Sequence, residues 1–284
     1  MNAEHLLTHF DRIADAPDAI PRLRRFILDL AVRGKLVPQD PNDEPASELL
    51  KRIAEEKARL VKAGKIKKTK PQLPISDDTL FKLPDGWAWS TVGEICSKTG
   101  SGSTPRGGKN TYREEGIVFI RSQNVYDDGL HLHNVAYIDA ATHAKMSGTV
   151  VRPADLLLNI TGGSIGRCCR VPDAFDEANV SQHVAIIRIA IHGLQDYVHR
   201  LILSPYFQAF IFGEQTGAGR GGLPKNKMDP IPLALPPLAE QHRIVAKVDE
   251  LMILCDQLET SLITGNDTRR RLLDALLHEV LEHL

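Results

Sequence analysis

No run of about 18 apolar residues occurs anywhere in the 284 residues of this chain, so its sequence offers no membrane-spanning helix. The opening residues, Met1-Asn2-Ala3-Glu4-His5, lead into an amphipathic, charge-bearing stretch and not into the apolar centre of a signal peptide. Cysteine is scarce: Cys96, Cys168, Cys169 and Cys255 are the 4 present, and the one close pair is adjacent. That is neither a disulfide framework nor a CxxC metal site, and it suits a reducing cytoplasm. On that reading the Asn-x-Ser/Thr matches at Asn159, Asn179 and Asn266 are chance. An excess of charge is missing too, since 35 Lys and Arg against 36 Asp and Glu leave a net charge of −1. A basic domain is the usual electrostatic footprint of nucleic-acid binding. Any such contact must therefore rest on local positive charge or on a partner.

Catalytic signatures are absent as well. Gly217-Ala218-Gly219-Arg220-Gly221-Gly222 matches GxGxxG, but it follows a predicted helix and precedes Leu223-Pro224, so both context tests for dinucleotide binding fail. Thr161-Gly162-Gly163-Ser164-Ile165-Gly166-Arg167 lacks the Gly-Lys-Ser/Thr ending of a phosphate loop. His131 and His133 have no third metal ligand in the pattern and read as surface histidines. There is no GxSxG elbow, no HExxH, and no methyltransferase, helicase or nuclease pattern. Nothing here points to catalysis or to a metal ligand.

What is present is an ordinary globular composition, 42% hydrophobic and 25% charged. The length suits one large domain, or a domain of about 150–170 residues with helical extensions. Residues 4–33 read as helix, interrupted near Asp15-Ala16-Pro17, with Gly34 as its stop. Ser47–Val61 is a second amphipathic helix. The lysine-rich stretch after it, Lys62 to Lys70, reads first as a solvated hinge and second as a phosphate-binding arm. From Leu83 to about Pro236, β-rich runs such as Ile117–Ile120, Asp155–Ile160 and His183–Ile189 alternate with glycine-rich loops, and one helix is expected over Gln195–Phe212. A long helix begins at Pro236-Pro237. In it Ile244, Leu251 and Leu258 repeat every 7 residues, as do Val248, Cys255 and Leu262, which is the seam of a coiled coil. Gly265-Asn266 disturbs the register before an apolar face resumes from Leu272 to Leu281.

Shifting the N-terminal helix by 245 residues lays it on the C-terminal one. Leu6 meets Leu251, Phe10 meets Cys255, Ile13 meets Leu258, and Arg24-Arg25 meet Arg269-Arg270. Two copies of one helical element thus bracket a single looped domain, and such copies are natural packing partners for each other or for a second chain. The expected fold is α+β: a mixed α/β domain flanked by long helices that form an antiparallel, coiled-coil spacer. The boundaries drawn are 1–72, 73–236 and 237–284.

Three loops combine flexible backbone with groups that grip phosphates and read base edges: Thr99–Asn110, Arg121–Asn124 and Thr216–Lys227. Their glycines could equally serve only as turns. Ser101, Thr104, Arg106, Lys109, Asn110, Arg121, Gln123, Asn124, Arg220, Lys225, Asn226 and Lys227 are the DNA-contact candidates.

Several long strings resemble a known family, the specificity subunit of type I restriction–modification systems. They are Leu28–Leu36, Leu83-Pro84-Asp85-Gly86-Trp87, Gly102-Ser103-Thr104-Pro105, Asn159–Arg167, Ala178–His183 and Leu235–Val245. The resemblance implies a target-recognition domain that reads one half of a split site on double-stranded DNA, and a helical spacer on which modification (methyltransferase) subunits and a restriction motor–nuclease subunit assemble. It implies no catalysis and no cofactor on this chain; S-adenosylmethionine, ATP and magnesium belong to the partners. Two recognition domains are the family's full-length pattern, and one is present here, so a half-length form is expected, with pairing of two copies through the terminal helices as one option. Weak, salt-sensitive DNA binding by the isolated chain is expected, tighter in complex. The alternative is a non-catalytic protein–protein scaffold without DNA specificity.

Overall fold

The computed structural model describes residues 18–68, 81–213 and 222–282. The chain divides into two compact units: Leu28–Val245, and Met1–Ile27 with Ala246–Leu284. The division runs inside two helices, α1 (Ala19–Val32) and α8 (Leu238–Glu282). The larger unit takes in α2 (Ala46–Lys62), whose Ala46, Leu49 and Ile53 are buried.

The larger unit is built on two four-stranded sheets. One has the order β2 (Cys96–Ser101), β11 (Val184–Ile189), β8 (Leu156–Asn159), β9 (Cys168–Arg170), all antiparallel. The other has the order β6 (Ala136–Ile138), β3 (Ile117–Ile120), β10 (Ala178–Val180), β7 (Val150–Val151), with β3 and β10 parallel. Runs rich in Ile and Val make β3, β7 and β11, because β-branched side chains fit a pleated, buried surface. Ile120, Val151, Leu157, Val180 and Ile186, drawn from both sheets, share one core. All four residues of β8, Leu156–Asn159, are buried, so the strand is covered on both faces and shows no alternation of buried and exposed positions. A hairpin of β4 (Val125–Tyr126) and β5 (Gly129–Leu130) lies beside them, and β1 (Ala88–Thr91) pairs with β12 (Pro232–Leu235) to close the unit.

Short helices α3 (Val92–Ile95), α4 (Ala140–Lys145) and α7 (Lys225–Met228) lie in the connections, and the single helix expected over 195–212 is two, α5 (Gln195–Leu203) and α6 (Pro205–Gly213). Pro205 has no N–H and forces Ser204 into extended backbone (ψ 151°), which ends α5 and opens α6. Conversely, α8 runs through Gly265-Asn266 without a break. In the smaller unit Arg24 joins α1 to α8 through Asp256 (2.7 Å) and Glu259 (2.6 Å). Val248 and Cys255 are buried there, and Leu251, Leu258 and Leu262 are half-buried, whereas Leu272 to Leu281 lie exposed among the described residues. Leu6, Phe10 and Ile13, the other half of the proposed repeat, lie outside the described residues.

Three of the resembling strings meet in one node of the larger unit. Gly34 ends α1 in the left-handed region (φ +66°), with Lys35 N–H bonded to Leu30 O at 2.9 Å. A side chain there would lie 2.3 Å from Pro84 and 3.2 Å from the Trp87 ring, so Leu83–Trp87 can dock only on a glycine. Trp87 Nε1 donates to Glu240 Oε2 (3.0 Å), Gln39 Nε2 donates to Glu240 Oε1 (3.1 Å), and Arg243 pairs with Asp43 (2.5 Å). Burial raises the Glu240 carboxyl above its usual pKa, and the two hydrogen bonds oppose that shift. Trp87→Phe should therefore cost about 1–3 kcal/mol in denaturant titration, since it strips one donor from a buried acceptor. A raised carboxyl pKa means the folded state binds the proton more tightly, so stability attributable to Glu240 falls as pH rises through its titration, and Trp87→Phe should steepen that fall. An unchanged midpoint and pH slope would show that the bond contributes nothing.

Candidate nucleic-acid interface

Both sheets deliver strand ends to one rim. Ser101, closing β2, stands opposite Ala185, and Asn159, closing β8, stands opposite Val184. In the other sheet β3 and β10 run parallel and end together at Ile120 and Val180. Backbone bonds lace these ends: Gly102 N–H to Val184 O (2.8 Å), Ser103 N–H to Val180 O (3.0 Å), Ser181 N–H to Ile120 O (2.9 Å) and Ile160 N–H to His183 O (3.0 Å). The third loop arrives through Leu223 N–H to Ile160 O (2.9 Å), and Asn159 Nδ2 holds the second by donating to Ser122 O (2.9 Å). Segments scattered over more than a hundred residues of sequence thus share one edge.

The candidates divide on this rim. Ser101, Arg106, Asn110 and Gln123 are exposed, as are Asn226 and Lys227, while Thr104 is half-buried. Lys225 is exposed but engaged, its ammonium contacting Thr99 Oγ1 and pairing with Asp229 at 2.6 Å. Arg121 is half-buried: it donates to Asn134 O (3.1 Å), and its guanidinium lies 5.6 Å from the centre of the Tyr112 ring. Asn124 is a correction. Only 1% exposed, it accepts from Arg121 N–H (3.1 Å) and donates to His131 O (3.0 Å), so its amide shapes the second loop and has no edge left for a base. Arg220 and the side chain of Lys109 lie outside the described residues.

The strings that carry the resemblance also divide. Asn179 is fully buried and donates to Met146 O (3.0 Å), but Gln182 and His183, three and four residues on, are exposed on the rim. His183 Nδ1 meets Thr161 Oγ1 at 2.6 Å. Arg167 is exposed, with its guanidinium 4.6 Å from the centre of the Tyr126 ring, which in turn stacks on His131 at 4.2 Å. Sequence reasoning passed over Gln182 and His183; the one signal was their place just ahead of the strand run that opens at Val184.

Together the exposed rim side chains offer guanidinium, amide, imidazole and hydroxyl groups on a backbone pinned by sheet ends, a set that can both hold phosphates and address base edges. Of the helix-seam residues, Ile244 lies in the core of the larger unit, and the other five line α8 in the smaller one. The four thiols are all buried and unpaired, and burial raises the pKa of each; Cys96 and Cys169 are pushed up to about 12. Among the described residues no group of His, Cys, Asp and Glu could hold a metal ion, and no helix is long and apolar enough to cross a membrane.

The EcoEI specificity subunit of the type I restriction enzyme of Escherichia coli is 38% identical over 270 residues, taking in 91% of this chain and 43% of the relative. The corresponding EcoAI subunit, also of Escherichia coli, is 33% identical over 281 residues, 97% of this chain and 47% of the relative. The chain thus spans less than half the length of these curated relatives. A solved structure from work on complex assembly and conformational transition of the type I R-M system overlays with a TM-score of 0.55 at 18% identity, covering 97% of this chain and 58% of that one, a likeness of fold alone. The family described as type I restriction modification DNA specificity domain matches residues 84–264, which take in both sheets and the whole rim, and the chain belongs to that family.

Proposed function

We propose that this chain reads one half of a bipartite DNA sequence within a type I restriction–modification complex, and that its helices hold the modification subunits. The observation that carries the reading is the convergence of three polar loops on one rim inside the matched span. The chain selects sequence and breaks no bond itself; S-adenosylmethionine, ATP and magnesium act on partner subunits, in the cytoplasm. Docking of partners rests on α8, whose apolar residues Leu272, Leu276 and Val280 are 51–61% exposed and stand at helical spacing.

The test is to co-purify the chain with its modification subunit and map the methylated bases. Gln123→Ala and Arg106→Ala should each relax preference at a single position, at about 1–3 kcal/mol of discrimination per lost paired contact. Methylation without any sequence preference, or preference unmoved by both changes, would remove the rim from recognition.

A further inference from the structure

The lysine-rich stretch after α2 is not an isolated hinge. With β2 it borders a cleft of about 1410 Å³ within the larger unit. Lys65, Lys67 and Lys68 supply one part of the lining, and Lys98, Arg152, Arg188 and Lys225 supply another, against Asp229 as the one carboxylate among the described lining residues. In a chain with a net charge of −1, that is a strong segregation of positive charge.

The carboxylates at hand are committed. Asp155 is held by Arg188 and Asp229 by Lys225. Lys98 faces a cation instead, because the β2–β11 register sets it opposite Arg188, and its ammonium donates to Gly148 O at 2.5 Å. Burial chiefly, and after it the charge of Arg188, lower its pKa, with Asp155 opposing. The volume exceeds the roughly 300–1,000 Å³ usual for a small-molecule site. Duplex DNA, with one charge per about 1.7 Å of axis, is the anion that can engage many cations drawn from separate segments. The cleft also adjoins the rim: Lys225 and Asn226 line it, and Lys225 touches Thr99 two residues ahead of Ser101.

We propose that this cleft takes the sugar–phosphate backbone of the duplex beside the bases met at the rim, and supplies a sequence-independent share of the affinity. The proposal rests on the DNA-recognition reading above, and it assigns Lys65, Lys67 and Lys68 to phosphate contact.

The experiment uses the full chain and two duplexes, one carrying the mapped target and one unrelated, with affinity followed across a salt series. Lys65→Ala/Lys67→Ala/Lys68→Ala removes three exposed side chains, and unchanged thermal melting confirms an intact fold. Affinity for both duplexes should drop by the same factor, and the slope of log affinity against log salt should lessen by about 2–3, near 0.9 per lost contact. Acetylation footprinting of the unaltered chain should show Lys65, Lys67, Lys68 and Lys98 protected by either duplex, with Lys51 and Lys247 unprotected. An unchanged slope, or equal protection by polyglutamate, overturns the cleft assignment while target preference at the rim still stands. Loss of all preference for the target would sink the recognition reading separately, and absence of duplex binding would sink both.

Discussion

Asp155→Ala is expected to destabilise the larger unit by about 3–5 kcal/mol, the cost of stranding one partner of a buried ion pair. Asp155 is 1% exposed, and both its oxygens are engaged by Arg188, each at 2.7 Å. Arg152 N–H also donates to it at 2.8 Å. The pair ties β11 to the turn ahead of β8, and Arg188 reaches on to Val150 O at 3.0 Å, so one contact braces both sheets. Removing the carboxylate leaves a half-buried guanidinium without its counter-charge beside Lys98. The double change Asp155→Ala/Arg188→Met removes both charges and should recover much of the loss, because a matched apolar pair often does as well as a buried ion pair. Equilibrium denaturation decides the matter; a single and a double variant of equal stability would show that the stranded charge is not the cause.

Gly102→Ala should be nearly as damaging and more local in its consequence. A Cβ at Gly102 would sit 2.0 Å from Val180 O and 2.6 Å from Ser181 O, both backbone atoms at the end of β10 that cannot swing aside. Relief requires breaking the bonds from Gly102 N–H to Val184 O and from Ser103 N–H to Val180 O, which pin the first loop to both sheets. An expected loss of about 3 kcal/mol combines overpacking with those bonds. Target preference should disappear along with the loop's position, even at temperatures where the variant stays folded. Gly163→Ala is the control: nothing lies within 4 Å of its Cβ position, and its stability should stay within about 0.5 kcal/mol of the unaltered chain. Wild-type affinity and preference in Gly102→Ala would show that the first loop is placed by something other than this contact.

These two residues mark where sequence reasoning runs out. Gly102 belongs to a string that resembles the family, yet no local pattern says that the peptide of Val180, 78 residues later, presses on it. Asp155 opens an apolar run and looks like strand-end punctuation; its partner in β11 is known only from strand pairing. Asn124 shows the opposite error. An amide in a loop near arginine reads as a base contact, but burial turns both its ends toward the backbone. Lys65, Lys67 and Lys68 looked like a solvated hinge because a charge run says nothing of the surface it folds against.

Elements whose signal is local were legible in advance. The helix over Ala46–Lys62 follows from apolar spacing, the strands over Ile117–Ile120 and Val184–Ile189 from β-branched runs, and the start of α8 from Pro236-Pro237. The break at Pro205 was not foreseen, although its cause lies within the residue itself, because the apolar spacing over 195–212 reads as one helix. The chain's order of residues was also enough to place it in its family, because long strings carry that likeness whatever they touch. Folding in three dimensions settled which of the polar loops share an edge, which amides face inward, and where positive charge collects in a chain that has no excess of it. Those are sums over neighbours brought close by strand register and packing, and the distance between two side chains is not a property of either one's place along the chain.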